Sequence, residues 1–258
     1  LTSVKDISLY DIFRDETGEI YICGRREENA ALLRLVGDEW VDIEVPDEYT
    51  FYNVWGTGLN NIYLRAGTST WHWNGEIWNE LDFGEDIKMF YLWGTSAENV
   101  YAAGESGLIF HFDGNSWIQE DHITNADLYC ITGTGPNDIY VSGRSGTILH
   151  YNGNQWSELS SGTWKTLYDI FLTSQNEAFA FNRIETVVRR FGSEWKSVFL
   201  ASTGLLDGCW RSDTGKIFAH STDDSIHYYN GTYWDLIPVN STADYLYPTD
   251  YWGTSDTN

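Results

Sequence analysis

Residues 93–117 read WGTSAENVYAAGESGLIFHFDGNSW, and residues 132–156 read TGTGPNDIYVSGRSGTILHYNGNQW. A third copy, WGTGLNNIYLRAGTSTWHWNGEIW, occupies 55–78. Each copy ends on a Trp with a Gly three residues before it. The same frame runs outward through the chain. Trp40, Trp78, Trp117, Trp156, Trp195 and Trp234 are spaced by 38 residues once and by 39 thereafter. Gly37, Gly75, Gly114, Gly153, Gly192 and Gly231 lead them. A fixed period of this length marks a repeat architecture, in which each repeat is one supersecondary unit.

Each unit breaks into four short runs. In the fourth they are LYCIT, DIYVSG, GTILHY and the run containing QWSEL. These runs are rich in β-branched and aromatic residues and are bounded by turn residues. Gly143-Arg144-Ser145-Gly146 makes one tight hairpin, and Asn152-Gly153 makes another that needs positive φ. No window keeps a helical period. Four strands in every 39 residues predict an all-β chain, a β-propeller of four-stranded blades. Residues 1–258 then form a single propeller domain, with blades at about 9–43, 50–82, 88–120, 127–159, 166–198 and 205–237, and a partial one at 247–258. Asp250-Tyr251-Trp252-Gly253-Thr254-Ser255 repeats a first strand. The expectation is therefore seven blades, six complete and one partial, with a six-bladed ring and a spare strand as the alternative.

The repeat pattern G-T-x-x-x-[DN]-[IV]-Y-x-x-G-x-x-G-x-I-x-H-[FY]-[DN]-G-x-x-W resembles the blades of bacterial secreted and surface β-propellers. These are grouped with kelch, galactose-oxidase-like and Asp-box propellers. The resemblance implies the architecture and an extracellular, periplasmic or cell-surface location. It does not assign an activity, because one fold hosts unrelated functions.

Composition narrows the partners. Lys plus Arg is 15 against 38 Asp plus Glu, for a net charge of −23. Such a field repels polyanions, so nucleic acid is excluded as a partner. Hydrophobic residues at 42% argue against a disordered acidic chain. No apolar run is long enough for a membrane helix, so membrane insertion is not expected. The chain opens on Leu1 rather than Met and reads as processed or as a fragment. Cys23, Cys130 and Cys209 are far apart and form no C-x-x-C pair, so they read as buried small hydrophobes and not as a metal or redox motif.

Candidate sites follow from the repeat. His72, His111 and His150 lie six residues before the blade Trp, where Arg34, Arg189 and Tyr228 stand in other units. A residue repeated once per blade is held apart from its copies, so packing and hydrogen bonding is the expected role and no metal site is expected. Trp164 lies in the linker SSGTWKT and reads as an exposed aromatic able to stack on a ligand. Tyr245 and Tyr247 lie in the longest linker and read as a binding edge. Two residues before the Trp93 position, first strands carry Asp11, Asn53, Tyr91, Cys130, Asp169, Gly208 and Asp250. Asp11, Asn53, Asp169 and Asp250 could line a central channel as a polar ring and hold calcium or water. They could equally hydrogen-bond the backbone of adjacent blades. The first linkers are acidic, with Asp42, Glu44, Asp47 and Glu48, then Glu80, Asp82, Glu85 and Asp86, then Glu120 and Asp121.

Enzymatic constellations are absent from the sequence. There is no G-x-S-x-G elbow, no H-E-x-x-H pair and no phosphate loop, and Arg183-Ile184-Glu185 does not make a sialidase motif. No catalytic residue is assigned, and no cofactor is expected apart from the calcium considered above. The function expected is a non-enzymatic binding or scaffold module that presents loops to a protein partner or a surface assembly. A lectin-like propeller for surface glycans is the alternative, supported by aromatic content and by the x-[DN]-G-x-x-W turns. A propeller hydrolase or lyase is the third reading.

Overall fold

The computed structural model describes residues 7–15, 17–46, 49–84, 87–172, 177–183, 186–199, 206–211, 217–221, 225–229 and 234–238. These residues form six four-stranded antiparallel sheets, at 7–42, 53–81, 89–119, 128–159, 169–199 and 206–238. In every sheet the strands follow chain order, each paired antiparallel with its neighbour. The chain clusters into two compact units. One is Leu1–Gly104 with Phe110–Gln119, and the other is Glu105–Ile109 with Glu120–Asn258. The partial unit expected at 247–258, with Asp250, and the linker tyrosines Tyr245 and Tyr247 lie outside the described residues.

The fourth sheet illustrates how sequence makes a repeat. Its strands are Leu128–Gly135, Asp138–Gly143, Ile148–Tyr151 and Trp156–Leu159. Ile139, Tyr140 and Val141 on the second strand are all buried, and so are Ile148 and Leu149 on the third. The second strand therefore has both faces covered and reads as a continuous apolar run. The second strand of the third sheet is packed likewise, and its small Ala102 and Ala103 are fully covered. Fourth strands are half exposed, as in Glu39–Asp42. Asn152 closes the last hairpin by accepting from the backbone N–H groups of Asn154 at 3.0 Å and Gln155 at 3.1 Å. Gly153 follows at φ 87, a conformation that L side chains rarely adopt.

The repeated Trp residues bind sheet to sheet. In the first unit Trp117 meets Tyr63 edge-on, with ring centroids 6.4 Å apart, and meets Phe83 at 5.0 Å. In the second, Trp195 meets Tyr140 at 6.3 Å, and Trp234 meets both Phe179 and Phe181 at 6.1 Å. Edge-to-face aromatic pairs in this range add to the burial term.

Candidate functional site

The linker between the fourth and fifth sheets is held tightly at both ends and exposed in the middle. Leu167 is buried and its N–H bonds the carbonyl of Gly143 at 2.9 Å. The N–H of Tyr168 bonds Phe181 O at 2.8 Å. Ser161 is buried, and its hydroxyl donates to Thr163 O at 3.0 Å. That carbonyl approaches Gly146 so closely that a Cβ there would sit 2.0 Å away, so the neighbouring hairpin needs glycine at this point. Between these anchors Trp164 is 81% exposed, the largest exposure among the large hydrophobic side chains described. It borders a shallow cavity of about 400 Å³ together with Ser145, Glu158, Ser160, Ser161 and Thr163.

The polar slot of the first strands is engaged locally. Asp11 is buried, and its Oδ2 accepts from Asn53 Nδ2 at 2.5 Å and from Val54 N–H at 2.7 Å. Its Oδ1 accepts from the Ile12 N–H at 2.9 Å. Asp11 thus ties the first sheet to the second. In the other unit Asp169 Oδ1 takes the Ile170 N–H at 2.9 Å and the Cys130 thiol at 3.2 Å. Asp11 and Asn53 are therefore in contact, and Asp169 makes its own inter-sheet link. A cation at Asp11 would have to displace the bonds from Asn53 and Val54. Among the described residues no group of three His, Cys, Asp or Glu side chains is placed to hold a metal. Cys23 is buried, with its thiol 3.5 Å from Phe51 O.

The histidines belong to a second repeated device. His72 Nε2 lies 2.7 Å from Asn61 Oδ1, His111 Nε2 lies 2.6 Å from Asn99 Oδ1, and His150 Nε2 lies 2.8 Å from Asp138 Oδ1. Each ring also stacks on the tyrosine two residues beyond that partner, Tyr63, Tyr101 and Tyr140, at 4.1–4.3 Å. Burial pushes His72 and His111 below the ordinary histidine value. It raises the Tyr140 hydroxyl to about 12. The x-[DN]-G-x-x-W turns use their Asx side chains internally. Asp113 Oδ1 accepts from Asn115 and Ser116 N–H groups at 2.9 and 3.0 Å, which holds this carboxyl below its usual range. Asn74 caps its turn the same way, so these groups are not free to receive a sugar.

A further arrangement escaped the sequence reading. The residue just before the polar slot is Tyr10, Tyr52, Phe90, Tyr129 and Tyr168 in the first five units. In the first, third and fourth sheets it is the extra residue of a β-bulge, skipped where the register shifts at Leu9/Asp11, Ala103/Gly104 and Leu128/Cys130. A bulge re-aims the side chain of its extra residue. The rings meet in pairs, Tyr10 with Tyr52 at 5.1 Å and Tyr129 with Tyr168 at 5.2 Å. An arginine covers one ring of each pair. Arg65 lies over Tyr52 at 5.5 Å, and Arg183 lies over Tyr168 at 4.7 Å. The period of the aromatic column was the available signal. An aromatic beside a polar slot, however, reads from sequence as core filling.

No known protein family matches the chain, and no curated protein matches its sequence. Solved structures do match. Virginiamycin B lyase from Staphylococcus aureus, a catalytically inactive form with quinupristin, aligns with a TM-score of 0.75 at 11% identity, over 94% of this chain and 87% of that one. The extracellular domain of a putative hybrid two-component system, BT4673 from B. thetaiotaomicron, gives 0.71 at 14% identity, over 98% of this chain and 37% of that one. YCF48 from Cyanidioschyzon merolae gives 0.68 at 12%, over 92% and 86%. YCF48 bound to D1 peptide gives 0.60 at 15%, over 76% and 69%. At these identities the likeness establishes the fold, and the chain is a β-propeller. The finer resemblance to kelch and Asp-box blades rests on the repeat motif alone.

Proposed function

We propose that this chain is a non-enzymatic binding propeller, extracytoplasmic in setting, that presents loops to a protein partner or a surface assembly. The observation that carries the reading is the anchored linker with Trp164 at its crest. A large aromatic held out by rigid flanks loses little entropy on binding and suits the centre of an interface. The likeness to YCF48, solved with D1 peptide, and to an extracellular sensor domain supports the same class. The test is capture from the native source on the immobilised chain, followed by affinity measurement with the identified protein. Trp164→Ala should weaken that affinity at least tenfold and leave the melting temperature unchanged. Equal affinity would remove Trp164 from the interface and with it the support for this reading.

A second reading draws on the shallow cavity beside Trp164. Hydroxyls of Ser145, Ser160 and Thr163 and the carboxylate of Glu158 surround one face of an exposed indole. That combination suits a neutral sugar ring, with stacking on the indole and hydrogen bonds at the rim. A glycan array on the folded protein tests it. Saturable binding to one class of neutral glycan, lost in Trp164→Ala, would favour the lectin-like alternative over a protein partner.

A further inference from the structure

We infer that the Tyr129–Tyr168–Arg183 element binds a carboxylate of an extended peptide, with Tyr10–Tyr52–Arg65 as a related tyrosine–arginine arrangement. The inference rests on the binding role proposed above and names the chemistry of the partner. Its first support is an ionic inventory. Acidic residues outnumber basic ones 38 to 15, so a carboxylate is rarely far from an arginine here. Arg26 pairs with Asp42, Arg34 with Glu19, Arg144 with Asp127, and both Arg25 and Arg189 with a glutamate. Arg190 donates to Tyr140 and to the Gly192 carbonyl. The Arg183 side chain has neither an ion pair nor a hydrogen bond among the described residues, whereas the buried Asp11 carboxylate favours the charged form of Arg65, and each arginine lies on a tyrosine.

The second support is an unmet donor in the first unit. Asn53 and Arg65 are direct partners across two strands. Asn53 is 5% exposed, and its Oδ1 accepts no bond; the buried Nε of Arg65 donates none. A buried polar atom without a partner costs free energy; a carboxylate answers the Arg65 Nε donor, while Asn53 Oδ1 is itself an acceptor and needs a donor such as water. A guanidinium fork is built to take a carboxylate through two parallel bonds.

The third support is accessibility in the second unit. Arg183 is exposed, and Tyr168 is 38% exposed, four residues after Trp164 in the same anchored linker. The bulge at Tyr129 re-aims the second ring, and Gly143, the partner of Leu128 beside it, lets the strands come close. A Cβ on Gly143 would sit 2.4 Å from Asp127 O. The two tyrosine pairs recur three repeats apart, but their arginines come from different places: Arg65 lies in the strand opposite Asn53, and Arg183 lies two residues beyond Phe181, which takes the place of Arg65. The net charge of −23 selects among anions, because it opposes a dianionic phosphate more than a single carboxylate. The peptide expected therefore carries one Asp or Glu among neutral and basic residues.

A random dodecapeptide display library, selected on the full chain, supplies the probe. Selected sequences should hold an isolated Asp or Glu, and the strongest is then synthesised with its carboxylate intact and as the amide. Amidation should weaken binding about tenfold, and Arg183→Gln should do the same. The two changes together should weaken it no further than either alone, since both remove one pair. Arg183→Lys, which keeps the charge but not the planar fork, should fall between. Selected peptides without acidic enrichment, or affinity unmoved by amidation, would overturn the carboxylate assignment while leaving a peptide-binding propeller. No selected peptide at all would sink both readings. Should Arg183→Gln fail to fold, amidation of the peptide on the unaltered chain still decides the matter.

Discussion

The second and third sheets and the fifth sheet meet the same structural need with different chemistry. In the second and third, a histidine on the third strand bonds an asparagine at the start of the second, His72 with Asn61 and His111 with Asn99. In the fifth, Arg189 and Glu177 occupy the equivalent positions and form an ion pair. The fourth sheet lies between, with His150 on Asp138. In every case a flat cationic or neutral group covers an aromatic ring, which is Tyr63 and Tyr101 in one pair of sheets and Phe179 in the other. The slot therefore demands a planar group over a ring and a hydrogen bond across the strands. Formal charge is optional. This explains why the residue type drifts along the chain while the sheets persist.

The largest expected effect tests whether the ring is the common element. Tyr63→Ala and Phe179→Ala should each cost about 3–5 kcal/mol, the range for emptying a buried aromatic site. Urea unfolding at neutral pH measures both. A difference above about 1.5 kcal/mol between them would show that the two kinds of sheet are not built on the same ring.

Smaller effects should separate the polar pairs. Glu177→Ala leaves a mostly covered guanidinium without its partner and should cost about 2–3 kcal/mol, because hydrogen bonds to charged groups are the stronger ones. Asn61→Ala should cost nearer 1 kcal/mol, in line with a neutral pair. The first penalty should shrink in 1 M salt, which screens a partly exposed ion pair, and the second should not. An equal salt response would collapse the distinction.

Acid should divide the sheets again. His72 and His111 are held below 6.5 by burial, so the unfolded chain takes up protons before the native one does. Stability should be level above about pH 6.5 and fall as the pH drops below it. His72→Gln with His111→Gln should flatten that fall. The fourth sheet answers with the same sign but in a lower pH window. Burial opposes ionisation of Asp138, but hydrogen bonds from Thr134 and His150 outweigh it and keep the carboxyl below 3.8. Its contribution should last above that value and disappear only as the pH falls through its depressed one. The smallest effect belongs to the exposed pair Lys196–Glu194 at 2.9 Å in the fifth sheet. Lys196→Ala should change stability by no more than about 0.5 kcal/mol.

Much of this molecule is legible from its residues. A 39-residue period, glycines before each Trp and the turn at Asn152-Gly153 are local signals, and they specify four-stranded hairpin sheets directly. Trp164 was legible too, because a lone indole among Ser, Gly and Thr has little around it in sequence to bury it. The histidines could be placed in a packing role by their repetition alone.

What lay beyond sequence reading depends on contacts between residues far apart in the chain. That Asp11 is engaged by Asn53 and Val54 follows from the meeting of two sheets some forty residues apart. The bulges that re-aim Tyr10 and Tyr129 arise from a register shift of one residue, which leaves no mark in alternation over so short a strand. Nor does composition say that Arg183 lacks a carboxylate while Arg25, Arg26 and Arg34 have one, because ion pairs form by proximity in space. Hydrophobic period and turn chemistry act over a few residues, and so a single sequence carries them. The identity of the unpaired groups is a property of the packed sheets, and only the folded chain decides it.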